Sequence, residues 1–406
     1  MTTGQNLAAA LRARLAPEHW PIRVETLPSD AVLVGGAVRD AVLGRLQERP
    51  DLDLVVSEGA ISLGRRLARE QSGTCVVLDD RRDIARVVLA GWSIDLARRQ
   101  GSDLAADLQR RDYTVNAMAL PLAPGSPVVD PTGGLRHLRH RQLVTVAEAN
   151  LLEDPLRLLR GLRLAAELEF SIESGTLQAI RRHAPRLGEV AGERVLTELE
   201  KLSAAQNGDS ALALVCDLKL LEPWSVEPSL ALPKQRLALK AARMHGLLDP
   251  ELSTALPIAR MAWLLAGPAA GRLKGSRRLQ QRCELLRRWW EVLAGRSLGS
   301  LGENERLELH RQMEEDLPAL VLNLAESDAR RALVRWRDPN DVLFHPKPPL
   351  DGHRLQQILR LQPGPVLGQV LNHLMAERAF GRLPPDDIPA AIQAAEVWLR
   401  RRIPTA

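Results

Sequence analysis

The spacing of apolar and polar residues changes character near residue 145. Before that point, short apolar runs rich in valine and leucine alternate with turn residues, which is typical of β-strands. These runs cover residues 31–34, 51–56, 74–79, 85–90, 92–97 and 142–146. After it, leucine, alanine and arginine recur at helical spacing, first over residues 155–168, 177–187, 195–205 and 211–221. The pattern predicts an α+β head, in which a mixed sheet packs against helices, followed by an all-α body and tail.

Length and composition indicate more than one folded domain. The chain has 406 residues, of which 45% are hydrophobic, and this exceeds the usual size of a single core. We place the boundaries at changes of pattern and at clusters of proline and glycine. The predicted segments are a head at 1–145, a helical neck at 146–222, a helical body at 223–337 and a helical tail at 338–406.

Cysteine use and hydropathy bear on the compartment. Cys75, Cys216 and Cys283 are far apart in the sequence, so their spacing indicates neither a disulfide framework nor a metal-binding cluster. No apolar run reaches 18 residues, and the arginine-bearing N-terminal stretch is typical of an amphipathic helix rather than of a signal peptide. We therefore expect a cytoplasmic protein that does not span a membrane.

Two carboxylates alternate at the start of the second apolar run. Residues two apart on a strand project from the same face, so Asp51 and Asp53 would lie side by side while Leu52 and Leu54 point into the core. Paired carboxylates suit the hard cation Mg²⁺, and metals held in this way serve nucleotidyl transfer. The alternative is a strand that ends in solvent.

A Gly-Gly turn follows the first apolar run. Gly35 and Gly36 precede a stretch that predicts a helix, an arrangement in which backbone amides can approach phosphate oxygens. Arg39 adds a cation nearby. The segment is neither a P-loop nor a dinucleotide fingerprint, because GxxxxGK[ST] and GxGxxG are both absent. It is either a phosphate-binding turn or an ordinary tight connection between a strand and a helix.

A dense charge cluster precedes a mostly apolar stretch in the sequence RRDYTVNAMAL. The cluster consists of Arg110, Arg111 and Asp112, and Asn116 follows within the apolar stretch. Arginine side chains fit phosphates, and an aspartate can accept hydrogen bonds from ribose hydroxyls. Upstream, Asp95 lies in mid-strand, where an acid is costly unless it is paired or metal-bound. Asp95 is therefore either a third catalytic carboxylate or an acid on a solvent-exposed face.

Five short motifs occur in one order within about 130 residues. They are GGAVRD at 35–40, DLD at 51–53, RRDYTVNAMA at 110–119, DPTGG at 130–134 and EDPLRLLRGLR at 153–163. This set closely resembles the bacterial class II tRNA nucleotidyltransferase and poly(A) polymerase family, which includes the CCA-adding enzymes. The resemblance is strongest over residues 30–205 and returns between residues 351 and 371.

The resemblance implies an enzyme that extends the 3′ end of tRNA without a template, using CTP and ATP. It implies that Asp51 and Asp53 hold Mg²⁺. By the same resemblance, the residues that contact the nucleotide are Gly35, Gly36, Arg39, Arg110, Arg111, Asp112, Asn116, Asp154 and Arg157. Arg160 and Arg163 continue the arginine stripe of the last motif and join these candidates, either as structural residues or as contacts for phosphates.

The chemistry of the bases independently supports a reading role for Asp154 and Arg157. Cytosine and adenine present an exocyclic amino donor beside a ring-nitrogen acceptor, whereas uracil and guanine present a carbonyl beside an N–H. A carboxylate and a guanidinium three residues apart on one helix face would therefore accept CTP and ATP and refuse UTP and GTP. The alternative is structural, because Asp154 followed by Pro155 is also an ordinary helix start.

One departure from the family pattern bears on the reaction. Only 14 residues separate Asp95 from Arg110, whereas CCA-adding relatives carry a longer, flexible loop there. In the family, loss of this loop accompanies enzymes that add two cytidines and leave the terminal adenosine to a sister enzyme. We therefore expect CC addition, with full CCA addition, poly(A) polymerase activity and a non-catalytic RNA-binding relative as the alternatives.

The net charge favours an acidic partner such as RNA. The chain carries a formal charge of +5. Residues 272–288 hold seven basic side chains and one acid, so a helix there either lines RNA phosphates or presents a solvated charged face. Aromatic residues make up only 3% of the chain, which disfavours base stacking on single strands and suits recognition of a folded tRNA.

Overall fold

The structure is a computed structural model that describes residues 3–384 and 387–402. Its architecture confirms the expected α+β head followed by helices. Within the described part of the chain, every strand lies before residue 173, and only helices and their connections follow.

The chain forms two compact units. The first comprises residues 1–190 and 214–223, and the second comprises residues 191–213 and 224–406. Residues 146–190 thus belong to the same unit as the predicted head. The division into head, neck, body and tail remains a prediction.

Eight strands are present in the described residues. They are β1 (Val32–Val34), β2 (Leu52–Val56), β3 (Thr74–Asp79), β4 (Ile84–Leu89), β5 (Trp92–Arg98), β6 (Ala119–Pro121), β7 (Gln142–Leu143) and β8 (Ser171–Ile172). Six form one mixed sheet in the order β3-β4-β5-β2-β1-β6, in which β2 and β5 run parallel and the other neighbours antiparallel. β7 and β8 form a separate parallel pair. The first five strands match the first five apolar runs to within one residue at each end.

Helices make up most of the remaining described structure. Up to residue 183 they are α1 (Thr3–Leu15), α2 (Gly36–Leu43), α3 (Ala60–Glu70), α4 (Leu104–Gln109), α5 (Gly134–Arg139), α6 (Glu148–Glu153), α7 (Leu156–Leu168) and α8 (Ser174–His183). The later ones are α9 (Gly192–Ala204), α10 (Gly208–Asp217), α11 (Leu239–Met244), α12 (Asp249–Leu264), α13 (Gly267–Arg272), α14 (Arg277–Val292), α15 (Glu303–Gln312), α16 (Leu317–Leu320), α17 (Glu326–Trp336), α18 (Gly352–Leu359), α19 (Pro365–Ala379) and α20 (Ile388–Arg402). The four helices expected first after residue 145 correspond to α7–α10, with ends shifted by up to four residues. Among the described residues, no helix combines the length and the apolar character needed to cross a membrane.

The sixth apolar run, residues 142–146, differs from expectation because only its first two residues form a strand. Its remainder bonds to a different segment: the N–H of Thr114 donates to the carbonyl oxygen of Val144, and the N–H of Val146 donates to that of Asp112, both at 3.0 Å. These bonds tie the run to the buried segment that begins at Asp112 rather than to the sheet. Alternation along the sequence cannot reveal such a partner.

Helix α3 covers one face of the sheet and leaves charged side chains on the other. A Cβ at Gly64 of α3 would lie within 3.3 Å of the side chains of Val87 and Leu96, so these two residues face the helix. Because side chains alternate along a strand, Arg86 of β4 and Asp95 of β5 project from the opposite face.

A buried arginine holds the end of α9. The side chain of Arg260 is 1% exposed and donates to the carbonyl oxygens of Ser203 and Ala205, each at 2.7 Å, and of Leu237 at 3.1 Å. Burial lowers its pKa to about 10, although Asp209 lies 3.5 Å away. The C-terminal carbonyls of α9 therefore find their donors in the interior.

Candidate active site

The Gly-Gly turn is built against the second strand. β1 pairs with β2 so that Val34 lies opposite Asp53. The next residue, Gly35, has a φ of 74°, and a Cβ there would lie 2.7 Å from Oδ2 of Asp53. Backbone conformation and space both require glycine, and α2 begins one residue further on at Gly36. The predicted order of strand, turn and helix is confirmed.

Three neighbouring strands place charged side chains in one row, here termed the carboxylate row, on the face of the sheet opposite α3. Asp53 of β2 is in register with Asp95 of β5, and Asp95 is in register with Arg86 of β4. Arg86 binds both oxygens of Asp95, with Nε to Oδ1 at 2.7 Å and Nη2 to Oδ2 at 2.8 Å. Asp51 lies just before β2 and is exposed. Sequence reasoning missed Arg86, although it is the one charged residue of its apolar run.

The carboxyl group of Asp53 binds its proton more tightly than an ordinary aspartate does. Its pKa is raised from 3.8 to about 6, first by burial and then by the negative charge of Asp95. Arg111 opposes this rise, and Asp51 adds to it. A carboxylate whose ionised form is disfavoured in this way gains from a cation placed beside it.

The residues present fit a divalent cation. Asp51 and Asp53 supply carboxylate oxygens, the ligands that Mg²⁺ prefers. The raised pKa of Asp53 indicates that the surrounding protein compensates its negative charge incompletely. Asp95 stands apart from this pair because both of its oxygens are bonded to Arg86. No cluster of three or more histidine, cysteine, aspartate or glutamate side chains suited to a metal occurs in the described residues. A role for Asp95 as a third catalytic carboxylate therefore stays a prediction.

Arg39 makes its bonds inside the protein. The residue is 9% exposed, its Nε and Nη2 donate to Asp40 at 3.0 and 2.9 Å, and its Nη1 donates to Oδ1 of Asn116 at 2.7 Å. The structure thus brings two predicted nucleotide-binding residues together as partners of each other. Their direct contact with a triphosphate stays a prediction.

The two arginines of the charge cluster have different surroundings. Arg110 is exposed and lies 3.3 Å from Glu153. Arg111 is half-buried and donates to Asp107 at 3.3 Å. The positive charge of Arg111 lowers the pKa of Asp53, so Arg111 is the arginine of the cluster that interacts with the carboxylate row.

The rest of the cluster packs onto α7. Asp112, 7% exposed, accepts the N–H of Tyr113 at 2.8 Å and Nη1 of Arg160 at 3.4 Å. The buried hydroxyl of Tyr113 donates to the carbonyl oxygen of Arg157 at 2.8 Å. A Cβ at Gly161 would lie 2.0 Å from that hydroxyl, so glycine is required there. The segment after α4 and the helix predicted to read the base are thus fastened to each other.

Asp154 and Arg157 lie together at the start of α7, and both are half-buried. Oδ1 of Asp154 accepts the N–H of Leu156 at 3.3 Å, so this residue supports the first turn of the helix. Nη1 of Arg157 donates to the carbonyl oxygens of Arg110 at 3.1 Å and Asn150 at 2.8 Å. Both bonds are made by the same terminal nitrogen, which fixes one end of the guanidinium. The structural role of Asp154 does not exclude its predicted contact with a base.

The later arginines of the stripe have acidic partners. Nη1 of Arg160 lies 3.4 Å from Asp112, and Nη1 of Arg163 donates to Glu167 at 2.6 Å. The structural interpretation of both residues therefore has direct support. Their predicted contact with nucleotide or primer phosphates is not tested by these pairs.

The basic side chains at 272–288, a stretch that includes most of α14, are largely bonded within the protein. Its bonded members are Arg272 with the carbonyl oxygen of Trp224, Arg278 with Glu315, Arg282 with Asp316, Arg287 with the carbonyl oxygens of Ala262 and Trp263, and Arg288 with Glu308. These contacts favour the solvated or structural face over a track for RNA phosphates.

Two family models match the chain. Residues 31–144 match the one described as the poly A polymerase head domain, and residues 169–231 match the one described as the probable RNA and SrmB-binding site of polymerase A. The first match contains the Gly-Gly turn, the carboxylate row and the charge cluster.

Similar proteins extend over nearly the whole chain. A CC-adding tRNA nucleotidyltransferase from Synechocystis sp. is 33% identical over 394 residues, which cover 90% of this chain and 93% of the relative. A second CC-adding tRNA nucleotidyltransferase, from Thermus thermophilus, is 32% identical over 407 residues, which cover 88% and 91%. The crystal structure of the Bacillus stearothermophilus CCA-adding enzyme in complex with CTP has the same fold, with a TM-score of 0.68, 22% identity and 99% of each chain covered.

The sheet, its glycine turn and the paired carboxylates define the protein as a nucleotidyltransferase. The relatives at 33% and 32% identity show which family of nucleotidyltransferases this is. The chain belongs to the class II tRNA nucleotidyltransferase and poly(A) polymerase family.

Proposed function

We propose that this protein adds cytidines to the 3′ end of tRNA and stops before the terminal adenosine. The observation that carries the proposal is the connection between β5 and α4, which spans only residues 99–103. Two relatives that share about a third of the sequence are CC-adding enzymes, which supports the same activity.

The connection is short and also fixed at several points. The N–H of Arg99 donates to the carbonyl oxygen of Val56 at 2.8 Å, and that of Gln100 donates to Oδ1 of Asp107 at 2.7 Å. Asp103 accepts the N–H of Ala106 at 2.8 Å and so caps α4. A segment held in this way cannot make the movement that would change a pocket that binds cytosine into one that binds adenine.

The carboxylate row and the glycine turn serve the transfer itself. The primer 3′ hydroxyl attacks the α-phosphorus of CTP, the new O–P bond forms as the bond to pyrophosphate breaks, and the hydroxyl proton passes to solvent water. Asp51 and Asp53 would hold Mg²⁺, whose charge would favour loss of the proton and departure of pyrophosphate. Gly35 and the N-terminus of α2 receive the triphosphate, since unbonded N–H groups at a helix start suit anions.

Base selection belongs to Asp154 and Arg157. The carboxylate accepts from the cytosine amino group, and the guanidinium donates to the ring nitrogen. Uracil reverses both functions and leaves buried polar groups unpaired, which makes its rejection steep. The substrates are then CTP and a tRNA that lacks its 3′ end, and in the cytoplasm a sister enzyme would add the adenosine from ATP.

The test uses a tRNA that lacks its CCA end, Mg²⁺ and one labelled nucleotide at a time. We expect CTP to extend the primer readily by two residues, whereas UTP and GTP should be incorporated only slowly and at high concentration. Asp51→Asn and Asp53→Asn should abolish extension while tRNA binding, measured by filter retention, is kept. Asp80→Asn, which changes an exposed carboxylate outside the row, is the matched control and should extend normally.

Other outcomes would select the alternatives. Absence of incorporation with every nucleotide would refute the enzyme and leave an RNA-binding relative. Long adenosine tails made from ATP alone would identify a poly(A) polymerase. Full turnover by either asparagine variant would refute the assignment of the metal ligands.

A further inference from the structure

The anchor of Arg157 depends on two segments that are separate in the sequence. Its Nη1 donates to the carbonyl oxygen of Arg110, which follows α4, and to that of Asn150, which lies in α6. The two acceptors are 40 positions apart along the chain. Something must therefore hold these segments at a fixed distance if the guanidinium is to keep one position.

The side chain of Asn150 makes that link. Its Nδ2 donates to the carbonyl oxygen of Gln109 at 2.8 Å and to that of Arg111 at 2.7 Å, the residues on either side of Arg110. Asn150 is 7% exposed, so its amide has exchanged water for these two carbonyls. One residue thus ties its own segment to the other and also offers its backbone oxygen to Arg157.

We propose that Asn150 is a positioning residue for base selection, which holds together the two carbonyl groups that orient Arg157 toward cytosine. This inference rests on the proposed function, in which Arg157 reads the base. Asn150 contacts no substrate, and its effect passes through the guanidinium.

Loss of the amide has a defined physical consequence. The carbonyl oxygens of Gln109 and Arg111 would lose this donor, and the segments of α4 and α6 could move apart. The bidentate reading of a base edge tolerates displacements of only about 0.5 Å. A displaced guanidinium would still carry its charge, so binding of the nucleotide would suffer less than the discrimination between cytosine and uracil.

The experiment measures kcat/KM for CTP and for UTP on a tRNA that lacks its CCA end. For Asn150→Ala we expect the ratio of the two values to fall by roughly tenfold, the size expected when two partly buried hydrogen bonds are lost. The matched control is Gln109→Ala, because Gln109 contributes only its backbone oxygen and its side chain is exposed. The control should keep the wild-type ratio.

Two further variants separate positioning from general damage. Asn150→Asp has nearly the same shape but no N–H donor, so it should lose discrimination while its circular dichroism spectrum stays that of the wild type. In the Arg157→Ala background, Asn150→Ala should cause no additional loss of discrimination, because it acts through the missing guanidinium.

The contrary results are distinct from failure of the proposed function. An unchanged ratio in folded Asn150→Ala or Asn150→Asp would overturn the inference, as would an equal further loss in the Arg157→Ala background. A wild-type protein that incorporates no CTP, or an Arg157→Ala variant with full discrimination, would instead refute the function or the reader on which the inference rests.

Discussion

Asp53 is subject to several structural and electrostatic constraints at once. Its Oδ2 lies against the turn at Gly35, it is in register with Asp95 on the neighbouring strand, and burial raises its pKa to about 6. The sequence allowed its selection because strand alternation and the conformational freedom of glycine are local properties. It did not reveal Arg86, since that contact depends on the register between two strands, which is not a local property.

The raised pKa predicts how stability depends on pH in the absence of divalent cations. The folded protein keeps the proton of Asp53 up to about pH 6, whereas the unfolded chain releases it near 3.8. The folded state therefore binds more protons in this window, and the free energy of unfolding falls as pH rises through it, by roughly 3 kcal/mol at most. Asp53→Asn should lack this fall.

Urea unfolding in the presence of a chelator, at pH 4 to 7, measures the effect. The difference in unfolding free energy between the wild type and Asp53→Asn should decrease with rising pH, and Asp80→Asn serves as the exposed control. A difference that is constant over the range would contradict the account of the Asp53 environment.

The sequence predicts strands and helices correctly where a single periodicity of apolar residues defines the element. The first five strands and the helices after residue 145 were predicted in this way, because alternation and helical spacing report which face is buried. Residues 144–146 differ from the prediction because their partner is the segment at 112–114 rather than a strand. The sequence suggested that the arginines of α14 were free to bind RNA, because acidic partners such as Glu315 and Asp316 lie in a distant turn that the sequence of one helix cannot reveal.

The pairing of β4 with β5 leads to a prediction about metal binding. Because Arg86 occupies both oxygens of Asp95, Asp95→Asn should weaken the affinity for Mn²⁺ less than removal of a ligand does, as measured by electron paramagnetic resonance. Asp51→Asn and Asp53→Asn should each weaken it by at least about tenfold, since they remove a ligand. An equal loss in Asp95→Asn would show that Arg86 releases Asp95 and that this residue is a third ligand after all.

At the scale of the whole molecule, the sequence predicted the order of an α+β part before an α-helical part, because composition and period both change near residue 145. Relatives that cover nine-tenths of the chain place it in one family. We propose that the choice between CC and CCA addition depends on a connection of five residues, 99–103, within a chain of 406. The proposed activity therefore depends on one of the smallest segments of the molecule.

The most direct measurement is the product formed when CTP and ATP are supplied together to a tRNA that lacks its CCA end, with the 3′ ends sequenced. The account predicts ends that stop at two cytidines, and no adenosine added to a tRNA that already carries them. Ends that finish in adenosine, at a rate comparable to cytidine addition, would contradict it and would mean that the short connection does not limit the enzyme to cytosine.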